Sequence, residues 1–117
     1  MTTTEQRFYG LLKADGTSAG DVERMQLFYV LARTNALWEV SASIYDTKTH
    51  CIKEGWDDIF DNTFGKMLKR TMHLFNSYNE DISTVKLLCG MDEHNMETMI
   101  NAQMIYSGLW DYGKEMK

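Results

Sequence analysis

The chain contains no proline, and only 8 of its 117 residues are glycine. These low numbers exclude a collagen repeat, a proline-rich recognition segment and a low-complexity linker. No apolar run approaches the roughly 18 residues of a membrane-spanning helix. The polar first seven residues also lack the basic and apolar regions of a signal peptide. We therefore expect a cytoplasmic protein without a membrane partner.

Basic residues are also scarce, with 12 Lys and Arg against 17 Asp and Glu and a net charge of −5. A field of this sign repels phosphate backbones and anionic membrane surfaces. We therefore expect no direct binding to nucleic acid. A chain of this length fits one domain of roughly 100–200 residues, so we predict a single helical domain over residues 1–117.

The first helix is predicted from a capping box, formed either by Thr2 with Glu5 or by Thr3 with Gln6. Residues 14–20 hold two glycines and small polar side chains, which favour a loop after this helix. The second helix begins at Ser18 or Asp21 and ends near residues 34–35. Its predicted buried face has the three- and four-residue spacing of an amphipathic helix and consists of Val22, Met25, Phe28, Tyr29 and Ala32.

The rest of the chain predicts further helices. A third helix, capped by Asn35, is expected to end around Asp46, and residues 46–56 fit a loop or a short strand. A strong helical pattern starts at Asp57, whereas residues 82–89 fit either a helix turn or a strand. A last helix spans about residues 92–112, with one predicted buried face: Met96, Met99, Ile100, Gln103, Tyr106 and Trp110. The pattern predicts an all-α fold, a compact bundle of five or six helices with little or no strand.

No spacing in the chain is typical of a catalytic or metal site. Glycine-rich phosphate loops are absent, and the histidines and cysteines do not form the close pairs of a zinc finger. We therefore expect no catalytic residues, no metal and no cofactor, and hence not an enzyme. Both cysteines are predicted to be free thiols in a reducing compartment. The potential ligands considered are His50, Cys51, His73, Cys89 and His94.

Charge is ordered around the predicted fourth helix. An acidic set precedes a basic set, and each has the spacing of one helix face. This order favours a solvated helix whose charges match its dipole, and a binding surface is the alternative. The two sets are Glu54, Asp57, Asp58 and Asp61, followed by Lys66, Lys69, Arg70 and His73.

Methionines are concentrated near the end of the chain. Thioether side chains pack into irregular cores and also adapt to partner surfaces. Met104, near Trp110, extends the buried face sideways and can leave apolar surface exposed. This surface is a candidate contact between two copies of the chain.

The order of several short motifs resembles an uncharacterised family of small proteins encoded by bacterial phages and other mobile elements. The motifs are residues 28–32, 44–46, 51–53, 55–56 and 66–79. The resemblance implies a mobile-element origin and brings no catalytic residues with it. Small acidic phage proteins without enzyme signatures are often inhibitors of host defence proteins, and anti-CRISPR proteins are the best-known example.

Two functions are consistent with these observations. The first is a non-enzymatic inhibitor of a host defence protein such as a CRISPR nuclease, whose basic channel an acidic surface could occupy. The second is a structural or regulatory homo-oligomer of a mobile element. The predicted partner-binding residues are Glu54, Trp56, Asp57, Asp58, Asp61, Met104 and Trp110.

Overall fold

A computed structural model describes residues 2–18, 20–60, 62–76, 87 and 90–109. In this part of the chain, five α-helices pack into one core, and one short antiparallel hairpin lies between the third and fourth helix. The predicted all-α fold is therefore confirmed. The helices and strands are α1 (Thr4–Asp15), α2 (Val22–Arg33), α3 (Asn35–Glu39), β1 (Tyr45–Asp46), β2 (Cys51–Ile52), α4 (Thr63–Asn76) and α5 (Glu93–Tyr106).

Of the two capping boxes predicted for the start of α1, the one formed by Thr3 and Gln6 is confirmed. The Gln6 amide donates to Thr3 Oγ1 at 3.1 Å, and the Thr3 amide donates to Gln6 Oε1 at 2.9 Å. This reciprocal pair satisfies two amides that a helix start leaves unbonded. The helix continues to Asp15, further than expected, and Gly16 ends it in the left-handed conformation at φ 71°.

Asp21 caps α2, as one of the two predicted alternatives, by accepting a hydrogen bond from the Arg24 amide at 3.1 Å. The buried surface of α2 is wider than the predicted amphipathic face. Seven consecutive residues, 26–32, are buried, and α2 packs against α1, α3, α4 and α5. A helix hidden on all sides is the central element of a core rather than part of its surface.

The predicted third helix is wrong beyond Glu39. Asn35 is the first residue of α3 rather than its cap, and the preceding Thr34 makes no side-chain cap bond. The chain leaves the helical conformation at Val40 (φ −112°, ψ 12°) and forms a 3₁₀ turn over Ser41–Ser43. Tyr45 then pairs with Ile52 in the hairpin, so backbone pairing across strands replaces the last predicted helical turn.

The predicted start of the fourth helix is also wrong. Residues 56–58 form a 3₁₀ turn, and α4 begins only at Thr63. Gly55 has φ 83°, a left-handed conformation that interrupts a helix. Glu54, Asp57 and Asp58 therefore do not lie on the same α-helix as the basic set, and their charges cannot be explained by the dipole of that helix.

The predicted face of α5 is rotated. Ile100 is 48% exposed, whereas the buried residues of the helix are Asn95, Thr98, Met99, Ala102 and Ile105. The helix also ends at Tyr106, where Gly108 (φ 74°) turns the chain. Of the segment 82–89 only Leu87 is described, and it is buried; residues 110–117 lie outside the described residues.

The core consists mainly of aliphatic and aromatic side chains with methionines from α4 and α5. Gln26 is a buried polar exception on α2. Its Nε2 donates to the carbonyl of Thr71 on α4 at 2.9 Å, which ties the two helices at one position along their length. The same Nε2 donates to the Glu23 carbonyl at 3.1 Å, whereas the buried Oε1 has no hydrogen-bond partner among the described residues.

We predict opposite effects of alanine at two helical glycines. At Gly65, near the start of α4, an added Cβ would lie 2.5 Å from the carbonyl oxygen of Phe60, so Gly65→Ala must shift backbone and lower stability. At Gly10, in the exposed middle of α1, a Cβ meets nothing within 4 Å. Gly10→Ala should stabilise by about 0.5–1 kcal/mol, because glycine is a poor helix former. Urea unfolding measures both. Equal effects at the two positions would contradict the packing at Gly65.

Candidate functional site

Three of the predicted binding residues lie in one exposed turn. Glu54, Asp57 and Asp58 are exposed, whereas Trp56 between them is only 8% exposed and belongs to the core. The Asp58 amide donates to the Gly55 carbonyl at 3.1 Å, which closes the turn. We call residues 54–58 the acidic turn.

Trp56, one of the predicted partner-binding residues, is buried. Its buried indole is an anchor for the acidic turn and does not form an exposed contact. Met104 lies half-buried on α5, a different element from the acidic turn. Asp61 and Trp110, the other two predicted residues, lie outside the described residues.

The three carboxylates of the acidic turn keep their charge available. In the described part of the chain, the ion pairs join Arg24, Arg33 and His50 to Asp15, Asp21 and Glu97, and none includes the acidic turn. The acidic turn is therefore a compact source of negative potential on a protein that is already acidic.

A second polar cluster was not predicted from the sequence. Asp15, the last residue of α1, is 6% exposed and accepts three hydrogen bonds. Its Oδ1 accepts from the Tyr45 hydroxyl at 2.7 Å and lies 2.8 Å from His50 Nδ1. Its Oδ2 accepts from the Thr17 hydroxyl at 2.7 Å and lies 3.7 Å from Arg24 Nε. We call these five residues the Asp15 clasp.

The hairpin brings two members of the Asp15 clasp together. The carboxylate of Asp46 accepts a hydrogen bond from the Lys48 amide at 2.8 Å, which starts the turn between β1 and β2. The turn ends at His50, whose φ of 60° is uncommon for a residue other than glycine. Arg24 Nη2 donates to the His50 carbonyl at 3.3 Å and so holds this backbone against α2.

Charge is balanced inside the Asp15 clasp. A carboxylate at the carboxyl end of a helix faces the negative end of the helix dipole. Burial would raise the pKa of Asp15, but the hydrogen bonds from His50, Tyr45 and Thr17 outweigh it and lower the pKa below its ordinary value of 3.8. Burial raises the pKa of Tyr45 to about 12, so its hydroxyl stays protonated and donates to Asp15. The hydrogen bond with the Tyr45 hydroxyl raises the pKa of Arg24.

An open cleft of about 280 Å³ lies beside the Asp15 clasp. Its lining includes Ser18, Asp21 and Arg24 together with His50, whose side chain is 54% exposed. The ionised Asp15 only accepts hydrogen bonds, so His50 Nδ1 is the donor of this pair. The described residues contain no group of three potential metal ligands, here or elsewhere.

Sequence reasoning missed the Asp15 clasp because its members are far apart along the chain. Tyr45 and His50 lie 30 and 35 residues after Asp15. No local spacing signals such a meeting, since it depends on how the hairpin folds back over the end of α1. Cys51, next to His50, is a free and exposed thiol, as expected; Cys89 lies outside the described residues.

The fold and these surfaces define a small α-helical protein with a short hairpin that leads into an acidic turn. The chain belongs to the family of unknown function DUF6075, which it matches over residues 2–108. No curated protein and no solved structure matches the chain. Among the described residues, no helix has the length and apolar character needed to cross a membrane.

We predict that Asp15 makes the stability of the protein fall in acid. The pKa of Asp15 is lower in the folded state than its ordinary value of 3.8, so its contribution is present above pH 3.8. This contribution is lost as the pH falls below that value through the folded pKa. Urea unfolding between pH 2.5 and 7 should show the loss in the natural protein.

Asp15→Asn is the matched control, because it keeps the shape of the side chain and removes the charge. It should lower stability at neutral pH by about 1–3 kcal/mol, since a hydrogen-bonded buried carboxylate is lost. Its own pH profile should lack the component assigned to Asp15. Parallel acid profiles of the two proteins would contradict this assignment.

Proposed function

We propose that this protein is a non-enzymatic interaction module that binds a positively charged surface on another protein. The acidic turn is the observation that carries the proposal. Its three carboxylates are exposed and take part in no ion pair among the described residues. Complementary charge directs association and selects partners more than it adds raw affinity.

The order of the acidic turn supports its use in recognition. Trp56 packs into the core between Glu54 on one side and Asp57 and Asp58 on the other. The backbone that carries Asp57 and Asp58 is therefore held before any partner arrives. A preorganised surface loses less conformational freedom on binding, which favours affinity.

The most specific form of the proposal is inhibition of a host defence protein by a phage or mobile-element protein. Proteins that handle nucleic acid bind the phosphate backbone in basic channels. An acidic turn can occupy such a channel and exclude the nucleic acid, without any chemistry. On this basis a CRISPR nuclease is the proposed target, and the protein acts as an anti-CRISPR.

The test uses the whole protein with purified CRISPR nucleases of a bacterial host that carries the gene. A nuclease retained by the tagged protein from a nuclease-treated lysate is purified, and its cleavage of target DNA is measured with increasing amounts of inhibitor. The triple variant Glu54→Lys, Asp57→Lys, Asp58→Lys should bind at least about tenfold more weakly, because three favourable charge contacts become repulsive.

A second triple variant separates local charge from net charge. Glu5, Glu39 and Glu93 are also exposed and lie outside the acidic turn. Their replacement by lysine changes the net charge equally and should leave inhibition nearly unchanged. Circular dichroism verifies that both variants fold. Full inhibition by the acidic-turn variant would refute the proposed contact, and cleavage unaffected by the natural protein would refute the target.

A second candidate function, a structural or regulatory homo-oligomer, is favoured by exposed apolar side chains on α5 and just after its end. Ile100 is 48% exposed and Leu109 is 78% exposed, and Met104 lies half-buried between them in sequence. Exposed apolar side chains of this size are typical of contacts between proteins when they are contiguous. Trp110, assigned to the same contact, lies outside the described residues.

Light scattering across a wide concentration range tests self-association. If Ile100 and Leu109 join two copies, the average mass should rise with concentration toward that of a dimer. The double variant Ile100→Lys, Leu109→Lys should then remain a monomer, because each copy would bury an unpaired charge. A natural protein that stays monomeric throughout rules out this function.

A further inference from the structure

The hairpin is attached to two helices by polar side chains, one from each helix. Its strand residue Tyr45 and its turn residue His50 both reach Oδ1 of Asp15, at 2.7 and 2.8 Å. Arg24 on α2 adds hydrogen bonds to the Tyr45 hydroxyl at 3.0 Å and to the His50 carbonyl at 3.3 Å. These polar contacts hold the hairpin together with the packing of Tyr45, which is 4% exposed and whose ring centroid lies 5.1 Å from that of Phe28.

The hairpin continues directly into the acidic turn. Beyond β2, the Lys53 amide donates to the Ile44 carbonyl at 2.9 Å, so backbone pairing extends to the residue before Glu54. On the other side of Gly55, Trp56 is fixed in the core. The acidic turn thus has two separate supports: the hairpin next to Glu54, and the indole next to Asp57 and Asp58.

We infer that the Asp15 clasp positions Glu54, and only Glu54, for contact with a basic partner. His50 and Asp15 act through the hairpin and are positioning residues. The inference rests on the proposed function of the acidic turn. It adds that loss of the contact between His50 and Asp15 frees the carboxylate of Glu54. Trp56 holds the other two whether or not the clasp is closed.

His50 allows an unusually well-matched pair of variants. Asparagine and glycine both tolerate its left-handed backbone. In His50→Asn, the side-chain Nδ2 stands as many bonds from Cα as His50 Nδ1 and can donate to Asp15. His50→Gly accepts the same backbone and has no donor. A difference between the two variants therefore reports the hydrogen bond rather than the backbone conformation.

Amide hydrogen exchange followed by NMR tests the coupling without any partner. In His50→Gly, exchange of the Lys53 amide should become about tenfold faster, because the hairpin opens locally more often. In His50→Asn it should stay near that of the natural protein. The amide chemical shifts of Asp57 and Asp58 should remain unchanged in both variants. Unchanged Lys53 exchange in His50→Gly, or shifts that also move at Asp57 and Asp58, would overturn the inference.

Binding to an oligolysine peptide then tests the consequence for recognition. His50→Gly should weaken binding by about threefold, the size expected for one exposed charge pair, and His50→Asn should restore it. In a Glu54→Gln background, His50→Gly should have no further effect, since the carboxylate that it positions is gone. Equal weakening in that background, or no weakening in the natural protein, would overturn the positioning role.

The two proposals fail in different ways. If the lysine variant of the acidic turn binds oligolysine as well as the natural protein, the proposed function fails, and the exchange data still decide whether the clasp holds the hairpin. If that variant loses binding while His50→Gly retains it, the proposed function stands and the positioning role is refuted.

Discussion

The burial of α2 on every side is the constraint on which the rest of the structure depends. Residues 26–32 have no exposed face, so a cylinder about 10 Å across has to be covered all round. In a chain of 117 residues this requires most of the other helices, and α1, α3, α4 and α5 all pack against α2. The surfaces left for recognition are the outer sides of these helices and the segments that join them.

Polar side chains determine how the covering helices are aligned. Gln26 joins α2 to the backbone of α4, and at the other end Arg33 bonds to Thr98 at 2.9 Å and pairs with Glu97 at 3.1 Å on α5. Apolar packing tolerates small sliding movements, whereas a buried hydrogen bond does not, because a displaced donor loses its partner. These bonds therefore select one alignment among several that would bury similar apolar area.

Helix caps and fold class could be predicted correctly because they depend on contacts between residues close together in the chain. Thr3 and Asp21 cap their helices because each side chain bonds an amide only three residues away. The fold class followed from helical periodicity for the same reason. Errors arose where a distant contact decides: Ile100 faces outward because α2 approaches α5 from a direction that the apolar pattern of α5 does not encode.

The same distinction applies to the candidate site. The exposure of Glu54, Asp57 and Asp58 agrees with their charge, as elementary hydration predicts. The burial of Trp56 depends on the path of the chain between the hairpin and α4, which no spacing in the sequence reveals. The Asp15 clasp likewise brings Asp15 together with Tyr45 and His50, 30 and 35 positions later, only after the chain has folded.

The anchoring of the acidic turn by one indole has a consequence for how such a protein can diversify. Because Trp56 supplies the packing and its neighbours Asp57 and Asp58 point to water, the identity of those neighbours is nearly independent of folding. Substitutions at exposed positions away from caps and networks usually change stability by less than about 0.5 kcal/mol. A chain built in this way can exchange the exposed side chains of this turn for others in a few mutational steps while it keeps the same core.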